Sequence, residues 1–406
     1  MAVAPARAED NDAAALLLAD QTATTAEQAR DWRVYVEAAA RESRRQGPGL
    51  AQHGTRLSVD VRFDKTFAPG WRAVFADRLD VNRTDNVSGD RDINTLKETY
   101  LSWQAQADQV LDLGRINVRN GVATGYNPTD YFRAGALRSI VSLDPASLRE
   151  NRLGAAMLRG QKLWTSGSLT ALYSPPLAQQ PSDSAFSPDF GATNQRARWQ
   201  LALSQKLSDA LSPQWLLSGG AGQSPQLGLN LTALPNDATV VYLEWSGGRA
   251  ASLASQALLR PEDAVFRSRL STGMTYTTPG NVSLTAEYQY NGAAPDQAGW
   301  DALRRGPPPA YGLYRARVAN LQDLSTRDNV FLYAVWQDAL VKRFDLTAMV
   351  RYDVVDHSRL QWLEARYHWS RVDVALQTQL NTGVAGSDYG ALPDRRLWQA
   401  LLRYYF

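Results

Sequence analysis

The amino-acid sequence predicts an all-β protein: a closed, antiparallel transmembrane β-barrel of about eighteen strands (sixteen to eighteen), with a short N-terminal helical segment. Three observations lead to this prediction. Apolar and polar residues alternate with a period of two along most of the chain. Short and long connections alternate between the segments defined in this way, and many segments carry an aromatic residue near one end. These patterns are typical of a barrel whose apolar face meets lipid.

The N-terminal part of the chain differs from the rest. A small-x-small tripeptide at 6–8 is like the end of a secretory signal, so we interpret residues 1–8 as a signal-peptide remnant or as the start of the chain. Residues 9–31 are rich in alanine and leucine and suit one or two short helices. We expect this segment to be periplasmic or to plug the barrel, which is predicted over residues 32–406.

Eighteen segments carry the alternating pattern. In one of them Val282, Leu284 and Ala286 alternate with Ser283 and Thr285. Because successive side chains of a strand point to opposite faces, each segment has one apolar and one polar face. In chain order the predicted strands are 33–42, 55–65, 71–82, 94–105, 109–119, 153–163, 167–175, 194–207, 213–221, 225–232, 238–248, 265–277, 281–290, 327–337, 342–353, 358–369, 371–381 and 395–406.

The connections between these strands fall into two classes. After even-numbered strands the link is short, as at 106–108, whereas after odd-numbered strands it is usually long, as at 120–152 and 291–326. The odd-numbered links near 222–224 and 354–357 are short exceptions. A transmembrane barrel has short turns at one end and long loops at the other. An even strand number then predicts that both chain termini lie on the short-turn side, in the periplasm.

The polar face of the strands predicts the chemistry of the lumen. Eighteen strands enclose a lumen that is too wide for side chains to fill, so the apolar face points outward and the polar face inward. Only five of the 43 basic residues are lysines, and an arginine-rich lumen would attract anions. A genome that favours arginine codons would explain the same composition. The predicted lumen-lining residues are Arg62, Arg78, Arg115, Arg119, Arg267, Arg269, Arg351 and Arg366.

Composition argues against several classes of function. The balance of 43 basic and 41 acidic residues does not indicate a nucleic-acid-binding protein. Cysteine is absent and the three histidines lie in different segments, so we expect neither a metal site nor a cofactor. Asp356, His357 and Ser358 are consecutive, and consecutive side chains point apart instead of meeting in a catalytic array. We therefore predict no catalytic residues and no enzyme.

The last predicted strand carries the most specific motif. It reads LWQALLRYYF, with Trp398, Leu402, Tyr404 and Phe406 on its apolar face. A final strand of this kind resembles that of Gram-negative outer-membrane β-barrels, which implies recognition by the barrel-assembly machinery. The segment LDLGRINVRNG, residues 111–121, resembles a strand that leads into a long loop in eighteen-stranded porins and alginate-export-type channels.

The resemblance to these channels implies an integral outer-membrane protein surrounded by lipid and lipopolysaccharide. One irregularity occurs inside the motif. Leu111 and Leu113 share one parity of the strand, whereas Ile116 and Val118 share the other. We interpret Gly114 as a β-bulge between them.

The connection 120–152 is the loop most informative for function. It is too long for an ordinary connection and is not of low complexity. In the porins that the chain resembles, the loop at this place folds into the lumen and narrows it. The alternative is an external lid that its own aromatic residues order. The predicted constriction residues are Tyr126, Tyr131, Phe132, Arg133 and Arg138.

The expected function is a channel that passes small, anionic or sugar-like solutes. The main alternative is a gated exopolysaccharide exporter that works with periplasmic partners and is closed at rest. A membrane enzyme and a structural or adhesin barrel fit the sequence less well. The sequence leaves open whether the barrel is a monomer or a trimer.

Overall fold

A computed structural model describes residues 30–47, 51–84, 92–182 and 184–406. Eighteen antiparallel strands form one sheet, which closes because β1 pairs with both β2 and β18. The predicted closed barrel and its strand number are thus confirmed. The N-terminal segment 1–8 and all but the last two residues of 9–31 lie outside the described residues.

The strands are β1 (Trp32–Arg45), β2 (Ala51–Ala68), β3 (Trp71–Thr84), β4 (Asp92–Gln106), β5 (Gln109–Ile116), β6 (Ala155–Trp164), β7 (Gly167–Ser174), β8 (Arg198–Gln205), β9 (Leu211–Gly220), β10 (Gln223–Asn236), β11 (Thr239–Ala250), β12 (Val265–Thr277), β13 (Val282–Asn291), β14 (Asp328–Trp336), β15 (Phe344–Asp353), β16 (Arg359–His368), β17 (Val372–Thr382) and β18 (Asp394–Tyr405).

Short helices occupy several of the connections. The side chain of Asp144 caps the first of them by accepting from Ser147 N at 2.9 Å, and Asp296 caps the fourth in the same way. In the described part of the chain no helix combines the length and the apolar character needed to cross a membrane. The helices are α1 (Pro145–Glu150), α2 (Phe190–Thr193), α3 (Leu253–Ala257), α4 (Gln297–Arg305) and α5 (Pro308–Leu321), with a 3₁₀ turn at Pro261–Asp263.

The two ends of the barrel carry different connections. Even-numbered strands are followed by short turns, such as 107–108 and 165–166, and we call this end the short-turn rim. The long connections 117–154 and 292–327 follow odd-numbered strands at the opposite end, the long-loop rim. Tyr35 at the start of β1 pairs with Tyr405 at the end of β18, so both ends of the barrel sequence lie at the short-turn rim.

The two faces of the sheet are inverted relative to a water-soluble barrel. Large apolar side chains such as Leu57, Leu113 and Leu402 are exposed on the outer face. Polar and charged side chains such as Asp60 and Glu244 point inward and are completely buried. A protein in water places these two classes the other way round. The distribution therefore suits a barrel that is surrounded by lipid.

Exposed tryptophans gather at the short-turn rim. Trp71 and Trp103 stack there on neighbouring strands, with ring centroids 5.8 Å apart. Tryptophan prefers the boundary between hydrocarbon and water, where its ring is buried and its N–H stays hydrated. The ring of tryptophans thus marks one membrane boundary. Its members are Trp32, Trp71, Trp103, Trp164, Trp336 and Trp369.

The predicted β-bulge at Gly114 is wrong. β5 pairs in continuous register with β4 and β6 through this glycine. Gly114 has a φ of 141°, and a Cβ there would lie 2.3 Å from the carbonyl oxygen of Thr99, so close backbone approach explains the glycine. The irregularity lies in β4 instead, where the register with β3 skips Lys97.

Loop backbone completes the wall beyond the end of β5. This strand stops at Ile116, and the edge of β4 continues past it. Gly154 N donates to Lys97 O at 3.0 Å, and Asn94 N donates to Ala185 O at 2.8 Å. These bonds occupy the positions where further β5 residues would pair, so the connections after β5 and β7 form part of the wall.

Candidate functional site

The long connection after β5 crosses the inside of the barrel. At one side its Phe132 packs against Ile116 and Met157 on the wall formed by β5–β7. Further along, Leu143 packs against the apolar cluster of Trp362 and its neighbours on β14–β16. A segment that contacts two separate parts of the wall must run through the space between them. The connection therefore contacts the inner wall on two sides of the barrel.

Glu244 on β11 holds the first part of this connection. Its carboxylate accepts the backbone N–H groups of Val122, Ala123 and Thr129 at 3.0, 3.2 and 2.8 Å. It also accepts from Thr129 Oγ1 at 2.8 Å. Gly121 permits this approach, because a Cβ there would lie 2.6 Å from both carboxylate oxygens. Among the described residues no cation pairs with Glu244, so loop backbone satisfies the buried charge.

Glu287 on β13 holds the backbone of Thr124 and Gly125 in the same way. It accepts from Thr124 N at 2.5 Å and from Gly125 N at 3.0 Å. Tyr242 Oη donates to the same carboxylate at 2.6 Å and fixes its orientation. Hydrogen bonds to charged groups contribute about 1.5–3 kcal/mol each. The two glutamates thus hold residues 122–129 against the wall.

A cavity of about 160 Å³ lies beside the connection, between residues 140–143 and the wall formed by β16–β18 and β1–β3. Arg41 Nη2 donates to Thr84 Oγ1 at 3.1 Å, and Arg56 Nη2 pairs with Glu37 at 2.7 Å. None of the described residues that line the cavity is acidic. The polar and aromatic residues of its lining are Arg41, Thr55, Arg56, Asn82, Ser142, Trp362, Gln377, Gln379 and Gln399.

Comparison with known proteins gives matches by fold and none by sequence. No protein family and no curated protein matches the chain. Acinetobacter baumannii OccAB1 superposes with a TM-score of 0.58 at 10% identity, over 92% of this chain and 96% of that one. Pseudomonas aeruginosa OccK5 (OpdH) gives 0.54 at 10% identity, over 93% and 98%. Pseudomonas aeruginosa OccK2 (OpdF), solved in complex with glucuronate, gives 0.56 at 10% identity, over 93% and 98%. This chain has the fold of an eighteen-stranded outer-membrane porin.

Within the porin fold, Tyr126 and Arg133 brace the connection and do not face open solvent. The Arg133 guanidinium lies 4.9 Å from the centre of the Tyr126 ring. Both side chains reach Asp323 in the connection after β13, Tyr126 by a hydrogen bond of 2.6 Å and Arg133 by an ion pair of 3.3 Å. Burial and the Asp323 carboxylate raise the pKa of Tyr126, so its hydroxyl remains a donor.

The other three predicted constriction residues also contact protein. Tyr131 Oη lies 3.0 Å from Ser246 Oγ, and the ring of Phe132 lies 4.4 Å below the Arg198 guanidinium. Arg138 donates to backbone carbonyls of the connection after β7 and to Asn94 O. The five residues thus lie in one loop, where they hold its shape. Burial raises the pKa of Tyr131 to about 12, which keeps its hydroxyl protonated.

Five of the eight predicted lumen arginines have carboxylate partners in the barrel. Arg78 is almost completely buried and pairs with Asp80 at 2.9 Å and with Glu37 at 3.0 Å. Such pairs remove much of the positive charge that composition alone predicts. The paired residues are Arg62, Arg78, Arg267, Arg269 and Arg366.

The remaining three predicted arginines form no ion pair among the described residues. Arg115 is buried and donates to Gly154 O at 2.9 Å, so it supports loop backbone. Arg351 donates to Gly125 O at 3.2 Å. Arg119 is exposed in the loop and lies near Glu150. Burial alone would raise the pKa of Glu150, but the charges of Arg33, Lys97 and Arg119 outweigh it and lower this pKa to about 2.

Proposed function

We propose that the protein is a channel of the bacterial outer membrane that passes small solutes and favours anions. The cavity beside residues 140–143 carries this proposal. Arg41 contributes positive charge there and forms no ion pair among the described residues, whereas Arg56 is already paired with Glu37 at 2.7 Å. The lining itself has no carboxylate among the described residues. Charge between low-dielectric walls acts more strongly than charge in bulk water. An anion therefore meets a favourable potential at the narrow part of the lumen.

The proposed solutes are small organic acids, including sugar acids. An arginine fork matches the geometry of a carboxylate, and the amides of Gln377, Gln379 and Gln399 suit hydroxyl groups. Trp362 adds an apolar surface for the carbon skeleton. OccK2, one of the proteins with the same fold, was solved with glucuronate, which belongs to this chemical class.

The same proposal covers the surroundings of the barrel. We place both termini in the periplasm, outer-membrane lipid around the apolar face, and the barrel-assembly machinery as the partner that recognises β18. The similar solved structures are porins, which gives indirect support to a role without catalysis. A polysaccharide-export role finds no support among them.

Single-channel current in a planar bilayer under a KCl gradient tests the proposal. The reversal potential should show chloride preferred over potassium. A unit charge about 4 Å from a passing ion contributes about 1 kcal/mol at the dielectric constant of water. Arg41→Gln should therefore lower the chloride-to-potassium permeability ratio by about five-fold.

Arg83→Gln is the matched control, because Arg83 is an exposed arginine on the outer face that pairs with Asp92 at 2.9 Å. It should leave the reversal potential unchanged. Preference for potassium in the unmodified protein would overturn the proposed anion selectivity. Absence of any current would overturn the channel itself.

A further inference from the structure

Two arginines face each other across the seam where the barrel closes. Arg44 on β1 and Arg396 on β18 are direct cross-strand partners. Both are exposed on the outer face, on the same side as Trp398 and Leu402. Side chains of directly opposed residues start about 4.5–5.5 Å apart, and like charges in this position repel. The protein therefore places two positive charges side by side at its lipid-facing surface.

Among the described residues, the neighbours on the adjoining strands do not neutralise this pair. The next partners on either side are Ala51 on β2 and Leu380 on β17. Glu42 Oε1 lies 3.8 Å from Arg44 Nε, in a pair whose side chains are both exposed. Exposed pairs of this kind contribute about 0–1 kcal/mol. Arg396 forms no ion pair among the described residues.

A third arginine extends the basic surface. Arg359 on β16 is exposed on the outer face, and its Nε donates to Thr382 Oγ1 at 3.2 Å. It forms no ion pair with any described residue. Arg359 lies two strands from Arg396, which corresponds to about 10 Å across the sheet. We call Arg44, Arg396 and Arg359 the seam arginines.

The position of the seam arginines matches the headgroup layer of a membrane. On β18 the outward residues from Trp398 to Phe406 span about 27 Å along the strand, at roughly 3.4 Å per residue. A strand tilt of about 40° reduces this to about 21 Å across the bilayer, close to the apolar band of about 25 Å in such barrels. Arg396 is the next outward residue beyond Trp398, so it lies just outside the apolar band.

We propose that the seam arginines bind the phosphate headgroup of an anionic membrane lipid. Guanidinium groups bind phosphate oxygens through two parallel hydrogen bonds, and a phosphate between Arg44 and Arg396 would neutralise their repulsion. The acyl chains of the lipid would lie along Trp398 and Leu402, directly below. A free phosphate ion would lack those apolar contacts. The site rests on the membrane location proposed above.

Native mass spectrometry of the purified full chain tests the site. The probes are a bis-phosphorylated lipid A and the same lipid without its phosphates. The unmodified protein should retain the phosphorylated lipid, and Arg44→Gln with Arg396→Gln should weaken its retention by about ten-fold or more, as expected when charge-assisted hydrogen bonds are lost. Arg83→Gln, an exposed outward arginine with its own carboxylate partner, should retain the lipid normally.

Three outcomes would overturn the proposed lipid site. They are equal retention by the double variant, equal retention of the dephosphorylated lipid, and displacement of the lipid by millimolar inorganic phosphate. The double variant should keep the single-channel conductance of the unmodified protein, which separates loss of the site from misfolding. The mass measurement does not depend on ion selectivity, so failure of the proposed function and failure of the lipid site remain distinguishable.

Discussion

The two longest connections of the barrel achieve order by different means. The connection after β5, residues 117–154, depends on the wall, because the carboxylates of Glu244 and Glu287 hold its backbone. The connection after β13, residues 292–327, belongs to a separate apolar core, in which Trp300 of α4 packs with α5 and with α3 of the connection after β11. One loop therefore owes its shape to polar bonds with the barrel, and the other to hydrophobic burial within the long-loop rim.

The two connections meet at Asp323. Its carboxylate accepts from Tyr126 Oη at 2.6 Å and from Asn291 Nδ2 at 2.9 Å, and it pairs with Arg133 at 3.3 Å. Arg133 Nε also donates to Leu321 O at 3.0 Å. The core of the second connection thereby supports the tip of the first.

Removal of both wall anchors should have the largest effect. Glu244→Ala with Glu287→Ala deletes the acceptors of five loop N–H groups, at about 1.5–3 kcal/mol for each hydrogen bond to a charged group. Residues 122–129 should leave the wall, and single-channel conductance should rise several-fold and become noisy. A conductance like that of the unmodified protein would show that the anchors do not hold the constriction.

Glu364→Gln provides the matched control for this experiment. Glu364 is also a buried glutamate of the wall, but it pairs with Arg366 and accepts from Gln377, and no hydrogen bond joins it to the connection after β5. The variant should keep the conductance of the unmodified protein.

Truncation of Trp300 should affect the helices of the long-loop rim and leave the barrel intact. Trp300→Ala removes a completely buried side chain at the centre of the helical core, which costs about 3–5 kcal/mol for a large aromatic residue. Trypsin should then cleave after Arg304 and Arg305, while the barrel keeps its resistance to heat on gel electrophoresis. Leu313→Ala, at an exposed position of α5, should stay uncleaved. Loss of the barrel itself would show that the two regions are not separable.

Substitution at Asp323 should weaken the contact between the connections without unfolding either. Asp323→Asn removes the charge opposite Arg133, at a buried site where such hydrogen bonds contribute about 1.5–3 kcal/mol. Current noise should increase, with mean conductance nearly unchanged. Asp301→Asn, on the exposed side of α4, is the control. Equal noise in the two variants would argue against coupling.

The smallest effect is expected at Tyr333. Its hydroxyl donates to Oδ1 of Asp144 at 2.7 Å, and Asp144 is the residue that caps α1. Tyr333→Phe should raise amide hydrogen exchange in residues 145–150 by up to about five-fold, which corresponds to about 1 kcal/mol. Tyr276→Phe, on the outer face, should leave this exchange unchanged. Unchanged exchange in the first variant would show that the wall does not stabilise α1.

Much of the fold follows from patterns that are local in sequence. Alternation alone assigns Trp398 and Leu402 to the outer face and Arg403 to the inner face of β18, and the strand pairing agrees. The number of strands follows from the same pattern, because each segment is short and bounded by turn residues. The lumen charge is less predictable. Alternation points Arg78 inward but does not show that Glu37, on another strand, pairs with it.

The contacts of the candidate site lie beyond local patterns. Val122 bonds to Glu244 across 122 positions of the chain, and Thr124 bonds to Glu287 across 163. No repeat or spacing relates these residues, since a lumen loop can reach any strand of the wall. The sequence does contain one indication of these contacts. Both glutamates face inward, and their cross-strand neighbours Ser271 and Phe331 are not arginines that could pair with them. Arg41 was missed as well, although it shares the inward parity of Glu37.

The seam between β1 and β18 has a consequence for how the molecule forms. Arg403 donates two hydrogen bonds to Glu37, at 3.0 and 2.7 Å, across 366 positions of the chain. Contacts so distant in sequence carry a high loop-closure entropy and form late. Until β18 pairs with β1, the edge of β1 exposes unpaired backbone N–H and C=O groups that promote aggregation. The rate of assembly, more than the final stability, is therefore the property most sensitive to the pairing of the first strand with the last.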